Sequence, residues 1–173
     1  MKLPHAVTLM PLQRHRDECG WLAEIFRDDW GQAKPCQWNA TVSEAGVLRG
    51  MHVHRSHNDY LVIVQGLMTV GLYDIRPDSA TRDLSASLEI GSDDLVALRV
   101  PTGVIHGFYC HEPTIYIYAM NAHFHPDDEL GCFWADPELR ISWPCRDPVV
   151  SERDRRAGSL AELRERLGSF TFA

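Results

Sequence analysis

The stretch RGMHVHRSHNDYLVIVQGLMTVGLYDIR, residues 49–76, indicates how this chain folds. A polar segment rich in histidine leads into two apolar runs that meet at Gly66, and each run has the length of a β-strand. Side chains two apart on a strand share a face, so His52 and His54 are predicted to point to the same side. The stretch therefore predicts short strands that direct polar side chains into one site.

Strand patterns continue downstream. The segment ASLEIGSDDLVALRVP is predicted to form a hairpin that turns at Gly91–Asp94, and TIYIYAMNAHF is predicted to form a further strand. On that strand Tyr116, Tyr118 and Met120 share one face. Proline and glycine recur between these runs, which is typical of many short strands. The chain is therefore predicted to be all-β, an antiparallel sandwich or barrel.

Only the C-terminal part has a helical pattern. In SLAELRERLGSF, leucines fall at positions 160, 163 and 167, and Gly168 is a stop signal. We expect one short C-terminal helix there. No repeat or linker interrupts the sequence, so a single domain over residues 1–173 is expected, with a core at about 17–150 and a helical tail at 151–173.

Composition excludes several classes of protein. The chain has 173 residues, a formal charge of -7 and a pI near 5.7, which argue against general binding to nucleic acid or to an anionic membrane. No apolar run approaches the roughly 20 residues of a membrane span, and the N-terminus lacks a signal-peptide pattern. The five cysteines are widely spaced, so we expect reduced thiols and a cytoplasmic location.

The spacing of the histidines resembles the two short motifs of the cupin superfamily. Gly50, His52, His54 and Asp59 are followed by Gly66 and later by PTGVIH, which ends at His106. The resemblance implies a jelly-roll barrel. In metal-dependent cupins such residues bind Fe, Mn, Ni or Zn, so one divalent metal on His52, His54, Asp59 and His106 is an alternative. Many cupins lack the metal, and an HxH pair often arises by chance.

A second resemblance covers most of the chain. Six motifs follow in order: DECGWLAEIF, CQWNATVSEAGVLRGMH, YDIRPDSAT, VPTGVIHGF, FHPDDELGCFWADPELRISWP and VVSERD. Together they resemble the dTDP-4-dehydrorhamnose 3,5-epimerase family, a metal-free branch of the cupins. The resemblance implies a cupin-type antiparallel jelly roll, a nucleotide-sugar substrate, no cofactor and a homodimer. It also implies epimerisation of a dTDP-linked 4-keto-6-deoxy sugar at C3, C5 or both.

The resemblance also implies roles for single residues. His52 would be the base, oriented by Asp136 of the WADP motif, and Tyr118 would be the acid on the opposite face of the sugar. The positions implied to bind substrate are Glu24, Gln37, Asn39, Arg49, His54, Asp59, His106 and His123. These residue types suit the reaction, because histidine titrates near neutral pH and a carboxylate on its second nitrogen fixes its tautomer. A phenol can return the proton from the other side.

The chain departs from the family at several positions. The lysine that would stabilise enolate charge is replaced by Asp59, or by Tyr60 if the alignment shifts by one residue. An ionised Asp59 would oppose that charge, so we expect one of three outcomes: a metal neutralises Asp59, Asp59 turns outward or pairs with His54 or Arg55, or the reaction differs.

The third outcome has one concrete form. RGMHVHR also resembles the dTDP-4-keto-6-deoxyglucose 3,4-ketoisomerases, although ADPELRISWP favours the epimerases. A metal-dependent cupin enzyme and a non-catalytic sugar-nucleotide-binding cupin are further alternatives.

Overall fold

The computed structural model describes residues 1–30, 34–168, 170 and 172. Antiparallel strands dominate, as predicted. The strands are β1 Thr8–Pro11, β2 Arg14–Asp17, β3 Gly20–Ala23, β4 Gln37–Ser43, β5 Leu48–Val53, β6 Asp59–Gln65, β7 Leu67–Asp74, β8 Ser85–Gly91, β9 Val96–Val100, β10 Val104–Cys110, β11 Thr114–Met120 and β12 Leu130–Gly131. The helices are α1 Glu152–Arg155 and α2 Leu160–Leu167, with 3-10 turns at Asp28–Trp30, Pro126–Asp128 and Pro137–Leu139.

Within these residues the strands form two five-stranded sheets and a small β2–β3 ribbon. The first sheet has the order β1-β9-β6-β11-β4, and the second has the order β12-β5-β10-β7-β8. From β4 onward, consecutive strands lie in different sheets, except that β7 and β8 pair within the second sheet. The chain therefore alternates between the two layers of a jelly roll, which confirms the predicted fold class.

The predicted hairpin at Gly91–Asp94 is wrong. Both of its strands exist, but β8 pairs with β7 in the second sheet and β9 pairs with β1 and β6 in the first. The turn is a corner that carries the chain between the sheets. Gly66 marks another such corner, with φ +96° and space so tight that an added Cβ would lie 2.5 Å from Thr114 Oγ1.

The main core lies between the two sheets. It includes Leu61 and Ile63 of β6, Leu72 of β7 and Leu98 of β9, each at most 2% exposed. A second apolar cluster joins the outer face of the second sheet to the C-terminal segment. Its members include Tyr73, Ile105, Leu139, Leu160 and Leu163.

The predicted C-terminal helix is confirmed as α2. Ser159 caps its N-terminus in a capping box with Glu162, and Gly168 follows its last residue. The structure adds α1, which precedes it. No helix among the described residues is long and apolar enough to cross a bilayer.

Two glycines bring the motif histidines together. A Cβ on Gly50 of β5, whose φ is +130°, would lie 2.6 Å from the Cα of Gly107 on β10. The two strands therefore approach closely at this point, and His52 is the direct register partner of His106. The sequence motifs RGMH and IHGF therefore lie side by side on neighbouring strands of the second sheet.

Candidate active site

One end of the barrel opens into a cavity of about 440 Å³ between the two sheets. Six residues that the sequence singled out line it: Arg49, His52, His54, Asp59, His106 and Tyr118. His52 and His54 share the inward face of their segment, as predicted. Tyr116, Tyr118 and Met120 share the inward face of β11, which also agrees with the prediction.

His52 has a carboxylate partner, but it is Asp154. The Nε2 atom of His52 lies 2.7 Å from Oδ1 of Asp154, which is 4% exposed. Asp154 belongs to α1, where Ser151 caps the helix by accepting a hydrogen bond from the Asp154 N–H. The four-residue helix therefore presents this carboxylate to the cavity wall.

The prediction that Asp136 orients His52 is wrong. The Asp136 carboxylate accepts hydrogen bonds from the backbone N–H of Glu138 at 2.9 Å and of Leu160 at 2.8 Å. It caps the 3-10 turn Pro137–Leu139 and ties that turn to the start of α2. Both oxygens are thus occupied by backbone donors at the far side of the second sheet.

The electrostatics of Asp154 fit a partner for an imidazole. Burial alone would raise the pKa of its carboxyl, but the hydrogen bond with His52 and the N–H of Gly50 lower it to about 2. Arg153 also lies close, with Nη2 at 2.6 Å from Nε2 of His52 and Nη1 at 2.9 Å from Oε2 of Glu129. A guanidinium can only donate, so Nε2 of His52 either accepts from Arg153 or donates to Asp154. In the tautomer that donates to Asp154, Nδ1 of His52 carries the lone pair.

Tyr118 is suited to donate a proton. It lies half-buried on β11, in the first sheet, whereas His52 lies on β5 in the second. Burial raises the pKa of its phenol, with the nearby Asp59 charge acting in the same direction, so the phenol stays protonated. The two side chains therefore approach the cavity from opposite walls.

The position left open between Asp59 and Tyr60 is resolved in favour of Asp59. The Tyr60 hydroxyl donates a hydrogen bond to the Ile25 carbonyl on the outer side of the first sheet, away from the cavity. Asp59 is 7% exposed, with Oδ2 at 3.2 Å from Nε2 of His106 and 3.4 Å from Nε2 of His54. It does not turn outward.

Charge within this cluster is shared between buried groups. Burial opposes ionisation of both Asp59 and His106, but the hydrogen bond between them lowers the pKa of Asp59 and raises that of His106. Burial lowers the pKa of His54 to about 4, so this imidazole is neutral at neutral pH. The backbone N–H of Arg55 instead donates a hydrogen bond to Oδ1 of Asp128 at 2.7 Å.

Comparison of the sequence with known proteins identifies the family. A family model described as dTDP-4-dehydrorhamnose 3,5-epimerase matches residues 1–162. The chain belongs to this family. It is 28% identical over 171 residues to the dTDP-4-dehydrorhamnose 3,5-epimerase of Methanothermobacter thermautotrophicus, covering 92% of each chain. It is 32% identical over 147 residues to the spore coat polysaccharide biosynthesis protein SpsL of Bacillus subtilis, covering 79% of this chain and 94% of SpsL.

Solved structures agree. ChmJ, a 3'-monoepimerase from Streptomyces bikiniensis in complex with dTDP-quinovose, has a TM-score of 0.88 and 26% identity, covering 98% of this chain and 90% of ChmJ. These findings confirm the predicted family, the jelly-roll fold and the epimerase class of isomerase. They give no support to the ketoisomerase or metal-dependent enzyme alternatives.

Sequence reasoning missed several residues of this epimerase-family site. Arg153 and Asp154 lie in VVSERD, a motif noted in the sequence but given no role. Glu129 also lines the cavity. His57 was assigned no role from the sequence; it is 2% exposed, and its Nδ1 lies 3.1 Å from Oδ2 of Asp128. A buried polar side chain in a loop leaves no periodic signal in the sequence.

Four predicted substrate-binding residues lie outside the cavity lining as far as the described residues show: Glu24, Gln37, Asn39 and His123. Gln37 borders the cavity, since its Oε1 accepts a hydrogen bond from the N–H of Phe124, which does line the cavity. Its Nε2 donates to Oδ1 of Asn39 at 3.2 Å. Glu24 is exposed and pairs with Arg27, and His123 is exposed beside Phe124.

Proposed function

We propose that this protein epimerises a dTDP-linked 4-keto-6-deoxy sugar at C3, C5 or both, and that its own side chains move the protons. The supporting observation is the His52–Asp154 pair on one wall of a cavity whose other wall carries Tyr118. Inversion beside a ketone requires a base on one face of the ring and a proton donor on the other. The two walls supply both.

Each proton has a named carrier in this mechanism. His52 takes the α-proton, and Asp154 fixes its tautomer and stabilises the imidazolium that forms. Tyr118 returns a proton from the opposite face, which inverts the carbon. No bound cofactor takes part in these two transfers.

The enolate oxygen needs a donor in place of the missing lysine. The ionised Asp59 raises the pKa of His106 through the hydrogen bond between them. When the imidazole is protonated, the pair therefore has no net charge. Asp59 therefore does not place an uncompensated negative charge in the cavity. We assign His106 and His54 to the sugar end of the site.

The nucleotide end is assigned to the other cavity residues. Arg49 reaches Ser43 Oγ through Nε at 2.9 Å, and its guanidinium suits a diphosphate. Phe124 lines the cavity, whereas His123 points to solvent, so Phe124 is the aromatic residue proposed to stack on the base. Gln37 positions Phe124 by accepting a hydrogen bond from its backbone N–H, and we propose that Gln37 also contacts the base.

A homodimer is part of the proposal. The edge strand β4 exposes Trp38 and Val42, and the β2–β3 ribbon exposes Trp21 and Leu22. Unpaired sheet edges and exposed apolar side chains favour association. Glu24 follows the ribbon and is exposed on its own subunit, which fits a residue that serves the partner's site. Analytical sedimentation should show a dimer for the wild type and a weakened dimer for Trp38→Glu. A monomeric wild type would contradict the proposal.

A cytoplasmic location is also proposed. The five cysteines are all free, as expected of a reducing compartment.

The decisive experiment is deuterium wash-in. Incubation with dTDP-4-keto-6-deoxyglucose in D₂O should label C3, C5 or both, and His52→Ala should abolish labelling. His15→Ala, at an exposed position on β2, should label like wild type. A lack of exchange with any nucleotide 4-keto sugar overturns the proposal, and a 3-keto product seen by NMR would show a ketoisomerase instead.

A further inference from the structure

Four buried side chains, three of which line the cavity, carry no proton in the two transfers. His54, His57, Asp59 and His106 each expose at most 9% of their side chain. The Nε2 atoms of the three histidines all face the Asp59 carboxylate, at 3.4 Å for His54, 3.7 Å for His57 and 3.2 Å for His106.

The other ring nitrogen of each histidine faces oxygen acceptors. Nδ1 of His54 lies 3.3 Å from the Asp128 carbonyl, and Nδ1 of His57 lies 3.1 Å from the Asp128 carboxylate. Nδ1 of His106 lies 3.1 Å from the Val104 carbonyl. A carbonyl oxygen cannot donate, so Nδ1 carries the proton in these rings. In their neutral form all three histidines therefore aim an Nε2 lone pair at a carboxylate.

This arrangement leaves polar atoms without partners. Three lone pairs and an anion repel one another unless positive charge lies between them. A proton on Nε2 of His106 makes only one of the three contacts attractive. Nε2 of His57 is fully buried and has no hydrogen-bond partner among the described residues. An unsatisfied buried acceptor of this kind calls for a ligand.

We propose that His54, His57 and Asp59 form a binding site for one divalent transition-metal ion, beside the contact between Asp59 and His106. Ligand atoms of His54, His57 and Asp59 lie within 4.8 Å of one another. Two ligands at about 2.1 Å from one tetrahedral ion stand about 3.4 Å apart, close to the 3.4 Å from His54 and the 3.7 Å from His57 to the Asp59 carboxylate. Imidazole and carboxylate donors suit Zn²⁺, Fe²⁺ and their neighbours.

The hydrogen bonds around the two histidine ligands also fit a metal site. Metal-bound histidines donate their second N–H to a carbonyl or carboxylate, and Asp128 accepts in that way from both His54 and His57. His52 is outside the site and keeps Asp154 as its partner. The cation and the proposed base are therefore compatible, which would not hold for a site that included His52.

Metal binding can be measured without any sugar nucleotide, so its outcome is separate from that of the epimerase proposal. The full chain is treated with chelator, dialysed against Zn²⁺ or Co²⁺, and analysed for metal content and for the visible absorption of Co²⁺. We expect one equivalent per chain. Absence of a stoichiometric ion overturns the proposal.

Variants assign the ligands. His57→Asn keeps a donor for Asp128 while removing Nε2, and should weaken binding by at least about 100-fold. Asp59→Asn should also lose the ion. His52→Asn and His15→Asn should bind like wild type, and circular dichroism confirms that each variant folds. Unchanged binding in His57→Asn, or lost binding in His52→Asn, contradicts this ligand set.

Discussion

His52 on β5 contacts Asp154 on α1, 102 positions later in the chain, through a 2.7 Å contact between Nε2 and Oδ1. The pair joins the barrel wall to the segment that follows the last strand. The base proposed for proton abstraction therefore depends on a helix of four residues outside both sheets.

Asp154→Asn should lower epimerisation far more than Asp136→Asn. The amide cannot stabilise an imidazolium and permits the wrong tautomer of His52, so kcat should fall on the order of 10² to 10⁴. Asparagine has a single acceptor oxygen and can replace only one of the two backbone contacts of Asp136, so Asp136→Asn should lower stability while keeping activity. Deuterium exchange and product formation measure both variants, and equal losses would contradict the assignment.

The His52–Asp154 pair should also appear in the pH dependence of stability. The pKa of Asp154 is about 2 in the folded protein and 3.8 without the contacts. Because the folded value is lower, the stabilisation is complete above pH 3.8 and is lost as pH falls through 2. The shift corresponds to roughly 2 kcal/mol. Urea unfolding between pH 5 and 2 should show a shallower dependence for Asp154→Asn; identical slopes would argue against the shift.

Tyr118→Phe should separate exchange from inversion. His52 can still remove and return a proton on its own face, so deuterium should enter the substrate while inversion falls by about 10² or more. The neighbouring Tyr116 lines the same cavity, with a pKa raised to about 12 mainly by burial. Tyr116→Phe is the matched control and should retain inversion. NMR of the sugar products distinguishes the outcomes.

Phe124→Ala should weaken nucleotide binding, whereas His123→Ala should not. Stacking of a base on an aromatic ring contributes about 1–3 kcal/mol, so KM should rise roughly 5- to 100-fold with kcat little changed. His123 is exposed and lies outside the cavity lining among the described residues. A larger effect at His123 would return the stacking role to that residue.

Local patterns predicted the strands and the faces of their side chains. The period of two placed His52 with His54, and Tyr116 with Tyr118, because a residue's side in a strand is fixed by parity. Leucines 160, 163 and 167 predicted α2 for the equivalent reason. The partner of each strand was less predictable, since the turn at Gly91–Asp94 reads the same whether it joins strands in one sheet or crosses between sheets.

The polar partners could not be predicted from the sequence. Asp136 and Asp154 both lie near prominent motifs, and only the path of the chain after β12 shows which one reaches His52. His57 lies in the loop between β5 and β6, where no periodicity reports the direction of a side chain. Its contact with Asp128 depends on a turn 71 positions away.

The place of α1 in the chain has a consequence during synthesis. The last strand of either sheet ends at Gly131, so a nascent chain can contain every strand of the barrel before Asp154 has been made. At 5–20 residues per second, a ribosome adds the intervening segment in roughly one to five seconds. During that interval His52 lacks its carboxylate, so the nascent chain holds the barrel without the complete proton-abstracting pair.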